Sequence, residues 1–114
     1  MRGVLYLVLL VAASCRAKSD APPCATVAGQ FYTIATDELG KATVDPSTRR
    51  AVVDQLPAMR DALAIACHDG AWSEAVRRCM VAAQDHAGLQ ACERDLTDDQ
   101  RAALDRAARG EPAP

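Results

Sequence analysis

The side chains best suited to chemistry are five cysteines (Cys15, Cys24, Cys67, Cys79, Cys92) and two histidines (His68, His86). Zinc sites usually fix two ligands on one turn through Cys-x-x-Cys or His-x-x-x-His spacing. Here the steps from Cys67 to Cys79 and on to Cys92 are twelve and thirteen residues, and His68 directly follows Cys67. Adjacent residues seldom point at one ion, so no metal is expected. A nucleophilic thiol needs a free cysteine beside an imidazole, whereas Cys67 is expected to be oxidised. Redox Cys-x-x-Cys and haem Cys-x-x-Cys-His motifs are missing, so no cofactor is expected. Covalent cross-linking is the chemistry left.

The N-terminus shows where this would happen. Met1-Arg2 is a short positive start, Val4 to Val11 is apolar, and Ala12-Ala13-Ser14-Cys15 follows. The apolar stretch is too short for a permanent membrane span and reads as a signal peptide over residues 1–14. The small residues before Cys15 resemble the lipobox of bacterial lipoproteins, with Ala12 standing where that family has leucine. The resemblance implies a diacylglyceryl group on the Cys15 thiol, cleavage before it and acylation of the new amine. Several acyl chains make a stable anchor. An ordinary secretory signal cut after Ala-x-Ser is the competing reading. Residue 16 is Arg rather than Asp, which in the enterobacterial sorting pattern implies the outer membrane, at its periplasmic face or at the cell surface. Residues 15–22 then read as lipidated N-terminus and polar tether, 23–109 as the folded domain and 110–114 as a tail.

With Cys15 acylated, four cysteines remain, an even set for an oxidising compartment. The need for them is physical. The chain has 114 residues and half are apolar, but there is one Phe, one Trp and two Tyr, and alanine supplies much of the rest. Such a core gains modestly from burial, and small domains need staples. If the first two helices form an antiparallel hairpin, Cys24 lies near Cys67, leaving Cys79 to pair with Cys92. This is the preferred pairing; Cys67–Cys79 with Cys24–Cys92 stays open.

The elements that must position these cysteines are helical. Val27, Phe31, Ile34 and Leu39 mark a first helix from Cys24, with Gly40 as its stop. Asp45-Pro46 signals the start of a second. Its stripe is Val52, Leu56, Met59, Leu63 and Ala66, Pro57 is expected to kink or break it, and Gly70 ends it. Ser73 caps a third helix whose inward face is Trp72, Val76, Cys79, Met80 and Ala83. That helix fades around Asp85–Gly88, and Leu89, Cys92 and Leu96 carry a brief helical spacing. Thr97 to Gln100 is a capping box opening a last helix to Ala108. The expectation is an all-α, four-helix domain of antiparallel hairpins stapled by two disulfides.

No catalytic constellation, phosphate loop or nucleophile elbow occurs, and Asp95, Asp98 and Asp99 suit a solvated helix start. The formal charge is −2, near −3 without Arg2, and no basic run offers a footprint for nucleic acid. Trp72 is a candidate partner contact, weighed against a core plug, and Arg77-Arg78 could meet an anionic partner unless Glu74 pairs with Arg78. The pattern resembles small helical lipoproteins with four further cysteines, plentiful in myxobacterial genomes and of no assigned activity. The resemblance is carried by Cys15 and by Trp72-Ser73, Val76-Arg77, Cys79, Cys92 and Leu96-Thr97. The sequence thus leads to a non-catalytic, lipid-anchored protein of the bacterial cell envelope that contacts the membrane through its lipid and a further envelope protein. Its alternative is a small-ligand or metal-binding lipoprotein, which a pocket lined by Phe31, Tyr32, Trp72 and a histidine would favour.

Overall fold

The structure, a computed structural model, describes residues 21–111. The expected signal peptide, Cys15, the tether as far as residue 20 and residues 112–114 lie outside that range. The described residues form an all-α domain with five helices and two disulfides, one helix more than the four expected.

Helix α1 spans Cys24–Lys41 and α2 spans Pro46–Asp69. Two mid-helix threonines in α1 are accommodated by back-bonding, Thr33 to the Gly29 carbonyl (3.0 Å) and Thr36 to the Tyr32 carbonyl (2.8 Å). Gly40 does not stop α1, which continues to Lys41. The free carbonyls at this end are met from the next helix instead, the Arg49 guanidinium donating to Ala42 at 3.0 Å and to Leu39. Asp45 caps α2 by accepting from the Thr48 N–H at 2.9 Å, with Pro46 in the first turn. The Ser47 hydroxyl, followed by Thr48, holds the Asp45 carboxyl well below the ordinary carboxylate range. Pro57 does not break α2, which stays helical across it.

Helix α3 spans Glu74–Ala82, capped by Ser73, and α4 spans His86–Glu93. The expected fading around Asp85–Gly88 is a boundary. Ala83 leaves helical conformation, and Asp85 caps the additional helix α4 by accepting from the Gly88 N–H at 2.8 Å. Helix α5 spans Asp98–Ala108 and opens on the expected capping box: Thr97 accepts from the Gln100 N–H, and Gln100 accepts from the Thr97 N–H at 2.8 Å.

Helices α1 and α2 form the antiparallel hairpin, α5 lies along α2, and α3 and α4 pack on α1. Val27, Leu63, Val76, Met80 and Leu104 are among the fully buried side chains. Burying each such residue is worth roughly 1.5–3 kcal/mol. Two positions depart from their expected stripes. Val52 is exposed because it borders an open hollow at the end of α5, together with Leu56, Met59 and Ala108 to Gly110, instead of packing into the core. Cys79 is exposed rather than inward, and its bond crosses from the rim of α3 to the buried Cys92.

Candidate functional site

The disulfides are those preferred from the sequence. Cys24 and Cys67 have Cα atoms 5.7 Å apart, and Cys79 and Cys92 5.8 Å. Both spacings are ordinary for a bridge. In the chain-entropy model, loops of these lengths contribute about 4 and about 3 kcal/mol. Two such bonds belong to an oxidising, extracytoplasmic compartment.

Around the first bridge the chain makes a tight corner between α2 and α3. Trp72 N–H donates to the Cys67 carbonyl (3.2 Å) and Ala71 N–H to the His68 carbonyl (3.1 Å). This is the paired hydrogen bonding of a Schellman motif. The left-handed residue is Ala71, at φ 49°, whereas Gly70 is right-handed at φ −77°. Gly70 is needed for closeness instead. A Cβ there would lie 2.8 Å from the Ala66 carbonyl oxygen and 3.1 Å from Trp72 Nε1. The corner is also tied to α5, since Gln100 Nε2 donates to the Gly70 carbonyl at 2.8 Å.

The candidate contact residues do not form one surface. Trp72 is 2% exposed, so its ring plugs the core and cannot anchor a partner. A tryptophan at a helix start serves either role, and burial decides between them here. Arg77 is half-buried and donates to the Pro22 carbonyl at 3.2 Å, fastening α3 to the chain just before α1. Arg78 is exposed but pairs with Glu74, Nε to Oε1 at 2.9 Å. His68 is exposed beside Asp69, while His86 stands at the start of α4. Among the described residues no group of three His, Cys, Asp or Glu side chains is placed to hold a metal. No described helix is long and apolar enough to cross a membrane.

The surface that does stand out is a groove of about 400 Å³ between α2 and α5. Ala62 and Ala66 line one wall and Ala103 and Ala107 the other, with Ile65 on the lip, 53% exposed. Asp69, Arg106 and Glu111 border it with both signs of charge, and Arg109 beside Glu111 holds that carboxyl below its ordinary range. The sequence carried a signal for it. Ile65 falls between Leu63 and Ala66, off the stripe that faces α1, and alanines recur at 103 and 107 along α5. Small residues on both helices keep the gap open. A second hollow, of about 300 Å³, brings Phe31 and His86 together, without Tyr32 or Trp72. Tyr32 instead lies under the Arg60 guanidinium, 5.3 Å from its ring centre.

No protein-family model, curated protein or solved structure matches this chain.

Proposed function

We propose that this chain is an exported protein of the bacterial envelope, lipid-anchored at Cys15, without catalytic machinery of its own, that docks another envelope protein. The observation behind the docking is the α2–α5 groove. It is open and apolar, Ile65 stands beside it at 53% exposure, and the disulfide and the Gln100–Gly70 bond keep its walls rigid. A rigid apolar face surrounded by charges of both signs suits a protein segment that inserts one or two apolar side chains. Support for the anchor comes from the sequence, through the apolar run and the small residues before Cys15. The outer membrane is the membrane we favour.

Intact mass of the protein extracted from its own membranes without reductant tests the anchor. Lipid on Cys15 and four missing thiol hydrogens are expected, and an unlipidated mass would remove the membrane from the proposal. A photo-reactive side chain at position 65 tests the docking. One discrete crosslinked protein is expected there and none from the same probe at Thr33; no crosslink, or the same products at both positions, would sink the docking reading. The hollow holding Phe31 and His86 is the observation that keeps small-ligand binding as a second reading.

A further inference from the structure

The second hollow lies between α1, α4 and α5, with α2 closing one side, and is distinct from the α2–α5 groove. Its floor is apolar: Phe31 and Ile34 from α1, Met59 from α2, Leu89 from α4 and Leu104 from α5. Its polar lining is dominated by carboxylates. Glu38, Glu93 and Asp105 all face it, together with His86 and Gln90. Among the described residues none of the three carboxylates forms an ion pair. The Glu38 carboxylate accepts a hydrogen bond from the His86 N–H at 3.2 Å. The arginine and lysine groups whose charge reaches these carboxylates are paired elsewhere: Arg101 with Asp98, Arg109 with Glu111 and Lys41 with Asp37.

Glu93 feels this environment. Burial, and then the charge of Asp105, raise its carboxyl above the ordinary value, and the opposing pull of His86 and Arg101 does not cancel them. A carboxylate held partly out of water, with which no basic neighbour closes an ion pair, is open to a further cation. Because the floor beneath it is apolar, a cation carrying a hydrocarbon body would satisfy it better than a hydrated metal ion. A volume of about 300 Å³ is at the small end of ligand sites.

We propose that the hollow between α1, α4 and α5 is a binding site for a small organic cation, an alkyl or aryl amine. Its charged head would meet Glu93 and Asp105 and its body Phe31, Met59 and Leu89. This site does not depend on the lipid at Cys15 or on docking at Ile65, so its test stands apart from theirs.

The experiment is a titration of the oxidised full-length chain with hexylammonium, followed by NMR, with hexanol, hexanoate and calcium ions as comparison probes. Saturable shifts at Phe31, Leu89, Glu93 and Leu104 are expected with hexylammonium and not with the other three. Glu93→Gln is expected to weaken binding by about three- to five-fold, the scale of a partly exposed charge pair, while Ile65→Ser leaves it unchanged. Equal shifts with hexanol would show an apolar hollow without charge recognition. Equal shifts with calcium would show a diffuse ion atmosphere. Either result, or no saturable shift with hexylammonium, would overturn the proposal.

Discussion

Neighbouring substitutions at the α2–α3 corner should have opposite signs. In Gly70→Ala the added Cβ would lie 2.8 Å from the Ala66 carbonyl oxygen, 3.1 Å from Trp72 Nε1 and 3.2 Å from Trp72 Cδ1. The carbonyl is fixed, because it accepts the Gly70 N–H at 2.9 Å. The indole is fixed too, at 2% exposure in the core. Neither neighbour is a flexible chain end, so the overpacking should cost about 1–3 kcal/mol. In Ala71→Gly the reverse holds. Ala71 sits at φ 49°, where a Cβ is penalised. Glycine removes that penalty but loses more freedom on folding, for a net gain of roughly 0.5–1 kcal/mol. For a domain of this size a shift of about 4–8 °C accompanies each kcal/mol. Thermal unfolding followed by circular dichroism, without reductant, should therefore place Gly70→Ala below the parent protein and Ala71→Gly above it. The emission of Trp72, the single tryptophan, provides a local check and should change in Gly70→Ala. If Gly70→Ala is neutral with unchanged emission, the close-approach argument is wrong. If Ala71→Gly destabilises, the left-handed assignment fails.

Gln100→Glu keeps the capping-box acceptor but loses the amide that donates to Gly70 (2.8 Å) and sets a carboxylate against that carbonyl. A loss of about 1–2 kcal/mol is expected in urea unfolding, and a neutral result would mean that the α2–α5 tie is idle. Removing the bridges separately, as Cys24→Ala with Cys67→Ala or Cys79→Ala with Cys92→Ala, should cost about 4 and about 3 kcal/mol in denaturant unfolding; a larger loss from the second pair would contradict the loop-length ordering. Glu93 has its folded-state carboxyl raised, so the folded protein binds the proton more tightly than the unfolded chain. Its contribution should therefore favour folding as pH falls from the raised value through the ordinary range near 4.5. Above that window the charged form is penalised, so Glu93→Gln should be at least as stable as the parent at neutral pH. Comparing the two stability–pH curves checks this, and a loss in Glu93→Gln at neutral pH would refute it.

Local signals were the legible part of this fold. Asp45-Pro46, Ser73 and Thr97 to Gln100 announce helix starts because a cap is a contact between residues three apart, and each is where expected. The pairing Cys24–Cys67 followed from a hairpin read off two stripes. Features that depend on distant parts of the chain were not legible. Gly40 resembles a stop, yet Arg49 closes the end of α1 from ten residues away. Asp85 begins a helix that looked like the end of another, because α4 is stabilised by burying Leu89 and Cys92 rather than by its length of 8 residues. The groove is not visible in the helical stripes for the same reason. Ile65 lies off its helix's stripe, but the groove exists only because Ala103 and Ala107 of α5 stand across from Ala62 and Ala66, and the acidic hollow joins residues from four helices.

The disulfides also decide how the domain would answer to a pull. Tension applied at the chain before Cys24 crosses directly to Cys67, so the whole α1–α2 hairpin lies inside a covalent loop and bears none of it. A second shortcut at Cys79 and Cys92 removes most of α3's end and α4 from the path. Among the described residues that follow Cys67, those that can lengthen under load are 68–78 and 93–111. Stretched between its two ends, the domain would yield first at α5 and the α2–α3 corner, while the hairpin that carries one wall of each cavity kept its shape.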